Sequence, residues 1–195
     1  MQRVILVITL VFSLSLPVVQ QASAQRYLPG QKGMQVTGGF VDGFTLDEKD
    51  GQAFYGGIAL STYTKNGNRW VFGGEYLQKS YEYKDVLIPM SQITAEGGYY
   101  LNFLSDRSKT LFFSVGLSAM AGYETINWGE RLLFDGATIM SEDNFLYGGA
   151  VSFEVEIFLS DRFALLMSAR ERILFGSNLN KFHTQIGLGI KVIIN

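Results

Sequence analysis

Three features of the 195-residue sequence predict an all-β fold, an eight-stranded antiparallel up-and-down barrel of the outer-membrane type. Eight segments alternate apolar with polar or small side chains, the pattern of strands with one face on lipid and the other on a polar interior. Short and long connections alternate between these segments, as in barrels with tight periplasmic turns and longer outer loops. Charged residues make up only 17% of the chain, below the roughly 25% of soluble domains.

The N-terminus has the pattern of a secretory signal peptide. Arg3 precedes a long apolar run, and Ala22-Ser23-Ala24 supplies the small residues of a cleavage site. We therefore expect residues 1–24 to be a signal peptide and residues 25–195 to form one outer-membrane barrel domain. A transmembrane helix is the disfavoured alternative, because Pro17 interrupts the run.

Composition excludes several classes of function. Cleavage after Ala24 removes Arg3 and no acid, so the net charge goes from −2 to −3 and gives no basic footprint for nucleic acid. The chain has no cysteine, which excludes thiol catalysis, cysteine metal sites and disulfides. We expect no direct nucleic-acid binding and no cofactor.

The first four predicted strands cover residues 33–44, 52–64, 69–81 and 90–104, and each has an apolar face opposite a polar or small one. The outward sets include Met34, Val36 and Phe40; Phe54, Ile58 and Leu60; Trp70, Phe72 and Tyr76; and Ile93, Tyr99 and Leu101. The inward sets include Gln35, Thr37 and Gly39; Tyr55, Ala59 and Ser61; Gly73, Glu75 and Lys79; and Gln92, Thr94 and Glu96.

The last four predicted strands cover residues 110–124, 144–159, 163–174 and 182–195 and show the same alternation. Their outward sets include Leu111, Val115 and Leu117; Phe145, Val151 and Phe153; Leu165, Met167 and Ala169; and Ile186, Leu188 and Ile190. Their inward sets include Ser114, Ser118 and Glu124; Ser152, Glu154 and Glu156; Ser168, Arg170 and Arg172; and His183, Gln185 and Lys191.

The connections support this count of strands. Residues 65–68, 105–109 and 160–162 are short and turn-forming, whereas residues 45–51, 82–89, 125–143 and 176–181 are longer. Leu104-Ser105-Asp106-Arg107 recurs as Leu159-Ser160-Asp161-Arg162, at two of the short turns. Glycine pairs such as Gly38-Gly39 and Gly148-Gly149 recur within strands and suit the sharp coiling of a narrow barrel.

Charged residues collect on the inward faces. Because an eight-stranded barrel is just filled by side chains, we expect these charges to pair in a lumen network that leaves no passage for DNA or a folded protein. A narrow ion path or site is the alternative. The predicted network consists of Glu75, Glu96, Glu124, Glu154, Glu156, Arg170, Arg172 and Lys191, with Lys79 on the same faces.

Two other places are candidates for function. His183 is the only histidine, and a lipid-modifying hydrolase would need it beside a serine such as Ser152 or Ser168; the spacing is generic and favours a lumen histidine. The long connection 125–143 is either a docking surface or a solvated loop, and it lacks the ligand spacing of a calcium loop, so no metal site is expected. The candidate docking residues are Asn127, Trp128, Glu130, Arg131 and Asp135.

The chain resembles the TraO family of conjugative transposon proteins in motifs that follow the family's order over nearly the whole mature chain. These motifs are Gln25-Arg26-Tyr27-Leu28-Pro29-Gly30, Lys65-Asn66-Gly67-Asn68, Trp70-Val71-Phe72-Gly73, Ala95-Glu96-Gly97-Gly98-Tyr99-Tyr100, Ala121-Gly122-Tyr123-Glu124, Asn127-Trp128-Gly129, Phe145-Leu146-Tyr147-Gly148-Gly149, Arg170-Glu171-Arg172 and Ile193-Ile194-Asn195.

The resemblance implies a component of a conjugative DNA-transfer apparatus related to type IV secretion, in the outer membrane of a Gram-negative cell. It supplies no catalytic residues. We therefore predict a non-enzymatic barrel with a structural or assembly role, whose partners are outer-membrane lipid and other conjugative transfer proteins. A lipid-modifying outer-membrane hydrolase and a surface adhesin-type barrel are the alternatives.

Overall fold

The computed structural model describes residues 28–42, 53–84, 86–133, 136–139, 143–177 and 181–194. The expected signal peptide, residues 1–24, lies outside these ranges and stays a prediction. Within them, no helix is both long and apolar enough to cross a membrane.

Eight antiparallel strands close into a barrel in chain order, which confirms the predicted fold class. The strands are β1 (Lys32–Val41), β2 (Ala53–Tyr63), β3 (Arg69–Tyr83), β4 (Val86–Ser105), β5 (Leu111–Ile126), β6 (Asn144–Phe158), β7 (Phe163–Phe175) and β8 (Phe182–Ile193). Closure is made by β1 and β8, which pair from Gly33↔Ile193 to Val41↔Gln185. Every strand therefore has a neighbour on both sides within the barrel wall, so the described barrel has no edge strand.

The two ends of the barrel differ. At the turn end, short connections join β2 to β3, β4 to β5 and β6 to β7, and β1 begins and β8 ends there. Both copies of the repeated Leu-Ser-Asp-Arg motif lie at this end, as predicted. The other four connections meet at the opposite end, which we call the loop end.

One predicted connection is wrong. Residues 82–89 were expected to be a long loop, but β3 continues to Tyr83 and β4 begins at Val86. The pairs from Ser80↔Pro89 to Tyr83↔Val86 lie beyond the last residues that pair with β2 and β5. Backbone pairing within the hairpin satisfies the donors and acceptors that an open loop would leave to water. The tip of the β3–β4 hairpin therefore projects from the loop end.

Two of the glycine pairs noted in the sequence, Gly38-Gly39 and Gly148-Gly149, let neighbouring strands approach closely. A Cβ atom added to Gly39 would collide with the carbonyl oxygen of Ile186 and lie 2.5 Å from the Cα of Gly187. A Cβ added to Gly148 would collide with the carbonyl oxygen of Ile173. These positions hold β1 against β8 and β6 against β7 at distances that any other residue would increase.

The exterior is apolar, and the lumen is polar between two apolar layers. Outward side chains such as Ile58, Leu117 and Phe145 are exposed, and Trp70, predicted to point outward, packs against Tyr99 with ring centroids 4.8 Å apart. The lumen is closed near the turn end by Tyr63, Phe112, Phe158, Ala164 and Ile193. Near the loop end it is closed by Val41, Tyr55, Leu77 and Met90, and by Met120, Leu146, Ala150 and Leu174.

Candidate functional site

The turn-side cluster consists of Arg69, Glu154, Glu156 and Lys191, which meet in the lumen from β3, β6 and β8. The Arg69 guanidinium contacts the Glu154 carboxylate and lies 3.5 Å from Glu156. Lys191 Nζ lies 3.0 Å from Glu156 Oε1 and also donates to Tyr63 Oη at 3.1 Å. Arg69, Glu156 and Lys191 are fully buried, so these charges depend on one another rather than on water.

Arg170 is the centre of a second cluster. Its Nη1 lies 3.1 Å from Glu75 Oε2 and 3.0 Å from Glu96 Oε2, and its Nη2 donates to Glu96 Oε1 at 3.0 Å and to Tyr100 Oη at 3.1 Å. Its Nε donates to Ser152 Oγ at 2.9 Å. One guanidinium thus ties β7 to β3, β4 and β6, and all three of its nitrogens are engaged.

We call this second group the central cluster; it consists of Glu75, Glu96, Arg170 and Arg172, and Gln185 bonds to it. Arg172 Nη1 donates to Glu75 Oε1 at 2.9 Å, and Gln185 Nε2 donates to the same oxygen at 2.8 Å. The cavity beside Arg170 has a volume of about 30 Å³, which is room for about one water molecule. Each cluster carries as many cations as anions, so the middle of the lumen is neutral and filled.

Glu124 differs from the rest of the predicted network. It is fully buried, and its Oε2 accepts hydrogen bonds from Gln92 Nε2 and Ser177 Oγ, both at 2.8 Å. No cation lies within 4.0 Å of it in the part of the chain that the structure describes. The expectation that every inward charge would pair with an opposite charge is therefore wrong for Glu124, which bonds to neutral groups on β4 and in the β7–β8 connection.

A rim group of Asp42, Lys79 and His183 lies at the loop end of the lumen. Lys79 Nζ donates to Asp42 Oδ2 at 2.7 Å, and His183 Nδ1 lies 2.9 Å from the same oxygen. Burial alone would raise the pKa of Asp42, but the hydrogen bonds from Lys79 and His183 outweigh it and hold the pKa below its ordinary value of 3.8. The sequence placed Lys79 inward but did not identify Asp42 as its partner.

The geometry does not assemble the serine and histidine of a hydrolase. His183 is buried and bonds to Asp42, whereas Ser152 accepts from Arg170 and Ser168 lies 3.5 Å from Tyr55 Oη. Among the described residues, neither serine is within hydrogen-bond distance of His183. Within the same ranges, no three histidine, aspartate or glutamate side chains come together in a way that could hold a metal ion.

The predicted docking loop begins immediately after β5. Asn127 and Trp128 have positive φ values of 50° and 54°, an uncommon conformation for residues other than glycine, and Asn127 Nδ2 donates to Glu130 O at 2.9 Å. The Trp128 side chain is 64% exposed, and Glu130 and Arg131 are also exposed. Asp135 lies outside the described residues. The described part of this loop thus presents a large exposed aromatic side chain.

An open cleft of about 580 Å³ lies at the turn end, between the β2–β3 and β4–β5 turns. Lys65 and Lys109 flank it, and Lys109 Nζ donates to Ser105 Oγ at 2.7 Å. Pro29 and Leu104 contribute apolar surface to the same cleft.

Sequence reasoning missed Arg69 as a lumen residue. Arg69 is the first residue of β3, where a cation looks like part of the preceding turn. The sequence did contain a signal for it. Residues an even number of positions apart lie on the same face of a strand, so Arg69 shares the inward face of Glu75. Tyr63 was missed for the same reason, since it shares the inward parity of its strand, whereas Tyr100 was placed on the inward face but not assigned to the network.

The strands, the outward apolar surface and the filled polar lumen define the class of protein. The chain is an eight-stranded antiparallel barrel of the kind found in outer membranes. It belongs to the family described as conjugative transposon protein TraO, whose model matches residues 28–194. The resemblance inferred from the sequence motifs is thereby confirmed.

Solved structures with the same fold support the assignment of class. Neisserial surface protein A is 13% identical, with a TM-score of 0.54 over 83% of this chain and 96% of that chain. Ail, the attachment invasion locus protein of Yersinia pestis, in complex with the heparin analogue sucrose octasulfate, is 12% identical, with a TM-score of 0.52 over 85% of this chain and 99% of that chain. At this identity the likeness concerns the fold alone. No curated protein matches the chain.

Proposed function

We propose that this chain is a non-enzymatic outer-membrane component of a conjugative DNA-transfer apparatus related to type IV secretion, with a structural or assembly role. Family membership supports the link to conjugative transfer. The apolar exterior of the closed barrel supports a place in the outer membrane, with the turn end in the periplasm and the loop end outside. The export signal expected at residues 1–24 would deliver the chain there.

The filled lumen is the observation that supports a structural role rather than a conduit. Two neutral ionic clusters and two apolar layers occupy the interior, and the cavity beside Arg170 holds about 30 Å³. A DNA strand is far wider than such a space, so the transferred DNA must take another route. The chain therefore contributes through its surfaces, namely the turn-end cleft, the loop that carries Trp128 and the outward wall.

Gene deletion tests the transfer role. Removing the gene should abolish or sharply reduce transfer of the element, while nicking of the DNA at its origin remains intact, and a plasmid-borne copy should restore transfer. Separation of inner and outer membranes should find the processed protein in the outer-membrane fraction. Normal transfer without the gene would show that the proposed role is wrong.

Lipid analysis tests the absence of catalysis. A His183→Ala variant expressed in the deletion strain should leave the acylation of lipid A and phospholipids as it is with the wild-type gene, because His183 bonds to Asp42 rather than to a serine. A change in acylation that depends on His183 would favour the hydrolase instead.

A further inference from the structure

Glu171 points outward from the barrel beside apolar surface, near the loop-end rim where Thr184 N donates to Asp42 Oδ1. Outward residues of β7 alternate with the inward Arg170 and Arg172, and Glu171 pairs across the sheet with Val151 on β6 and Thr184 on β8. Nearer the loop end, the same outer surface continues with the exposed side chains of Ile173, Phe175 and Phe182. Of the outward strand residues whose side chains the structure describes, the other charged one, Lys32, lies at the start of β1.

The carboxylate of Glu171 has a hydroxyl partner and no cation. Thr184 Oγ1 donates to Glu171 Oε2 at 2.6 Å, and no basic group lies within 4.0 Å of Glu171 in the described part of the chain. Ionisable side chains are rare on lipid-facing surfaces because a hydrocarbon environment does not solvate the charge. A carboxylate beside an apolar outer surface therefore favours an occupant that carries a cation over lipid alone.

A groove lies next to Glu171 on the same wall. It has a volume of about 510 Å³ and an almost wholly apolar lining, with the small residues Gly38 and Ala169 between the larger Phe40 and Met167. The pair Ala169↔Ile186 directly precedes the pair Glu171↔Thr184 on the outward face of the β7–β8 hairpin. Successive outward positions on a strand are about 6.6 Å apart. The groove and the carboxylate can therefore be contacted together by one segment.

A lipid chain, a second copy of the barrel and a segment of another protein would fit the groove and the Glu171 carboxylate to different degrees. A lipid acyl chain would fill the groove but leave the carboxylate without a cation. A second copy packed about a two-fold axis through this patch would bring two Glu171 side chains together, and like charges repel. A protein segment with a lysine or arginine beside an apolar side chain matches both the charge and the groove.

We propose that Glu171 and this groove form a docking site for a membrane-embedded segment of another protein, which places a basic side chain against Glu171 and an apolar side chain in the groove. The proposal rests on the proposed outer-membrane location. It adds a lateral contact within the membrane to the contacts at the two ends of the barrel. Gly38 and Ala169 then serve to let the partner's backbone approach closely.

Site-specific cross-linking in intact cells tests this docking site. A photoreactive amino acid at Met167, which lines the groove, should give one adduct with another protein. Glu171→Gln should remove the cation's partner, and Ala169→Leu should fill the groove, so each should reduce the adduct at least tenfold. Ala95→Leu is the matched control, because Ala95 is an exposed outward alanine on β4, three strands away, and it should leave the adduct unchanged.

Stability in lipid alone provides a second measurement. In vesicles without any partner, Glu171→Leu should unfold at the same or a higher urea concentration than the wild type, because lipid then covers the site. The proposal is overturned by a lower midpoint, which would mean that Glu171 stabilises the isolated barrel. It is equally overturned by an adduct with lipid or with a second copy, or by an adduct that survives both Glu171→Gln and Ala169→Leu.

Transfer assays separate this proposal from the proposed function. If the deletion strain transfers the element normally, the transfer role fails while the cross-linking result still decides the docking site. If deletion abolishes transfer but the Glu171→Gln and Ala169→Leu variants restore both transfer and the adduct fully, only the docking site is refuted.

Discussion

Replacing Arg69 by methionine should strongly destabilise the barrel. Methionine retains much of the side-chain volume but leaves Glu154 and Glu156 opposite Lys191 alone, so the turn-side cluster acquires a net charge of about −1 inside a closed lumen. Glu154 would keep only Lys191 Nζ, at 4.0 Å, as a cationic neighbour from the cluster, whereas Glu156 keeps the same amine at 3.0 Å. Glu154 therefore loses more electrostatic stabilisation than Glu156 does.

The expected loss follows from burial. Removing one partner of a buried ion pair costs about 3–5 kcal/mol, which is roughly a hundredfold to several thousandfold in the ratio of folded to unfolded protein. Arg69 is 0% exposed, so screening by water does not reduce this value as it would at the surface. Further neutralising Glu154 in an Arg69→Met, Glu154→Gln double variant should recover at least about 1 kcal/mol of the loss.

Urea unfolding of the barrel in lipid vesicles measures these differences, with the fluorescence of Trp70 and Trp128 as the reporter. Arg162→Met is the control, because Arg162 is exposed in the β6–β7 turn and should change the free energy of unfolding by no more than about 0.5 kcal/mol. If Arg69→Met costs less than about 1 kcal/mol and shows no coupling to Glu154→Gln, the lumen is hydrated and the argument for a sealed interior is refuted.

Two further predictions concern the barrel wall and its outer rim. Gly39→Ala should destabilise the barrel by about 1–3 kcal/mol in the same urea assay, because the added methyl meets the backbone of β8, whereas Gly56→Ala, with its nearest atom 4.0 Å away, should be nearly neutral. Equal effects would refute the close-approach argument. The lowered pKa of Asp42 means that its stabilising effect is present above its ordinary, unfolded pKa of 3.8 and is lost as pH falls through the lower folded value. The difference in unfolding midpoint between the wild type and Asp42→Asn should therefore shrink as pH falls below 3.8, and a constant difference would contradict it.

The alternation of side chains predicts the faces of the strands well, because inward or outward direction is a local property of each residue. His183, Gln185 and Lys191 are inward as predicted, and Ile186, Leu188 and Ile190 are outward. The alternation does not predict which side chains contact each other across the lumen. Whether Arg170 meets Glu75 depends on the stagger of strands on opposite sides of the barrel, which no local pattern contains.

Strand ends are also hard to predict from the sequence. Pro89 and the charged residues around Lys84 resemble a loop, yet β3 and β4 pair as far as Tyr83↔Val86. Pro89 is tolerated because this part of β4 pairs with β3 and not with β5. The repeated Leu-Ser-Asp-Arg motif shows the same limit. In the β4–β5 turn, Asp106 accepts the backbone N–H groups, whereas in the β6–β7 turn Ser160 does so. Identical residues therefore make different turns.

The projecting β3–β4 hairpin makes the barrel asymmetric. It continues for four pairs beyond its neighbours, which at about 3.3 Å per residue is about 13 Å of ribbon above the rest of the wall. Within the described residues, the β7–β8 and β8–β1 pairs end at Ile173↔Phe182 and Val41↔Gln185, so this ribbon belongs to one side of the barrel. The described loop end is therefore uneven, with its raised part over β3 and β4.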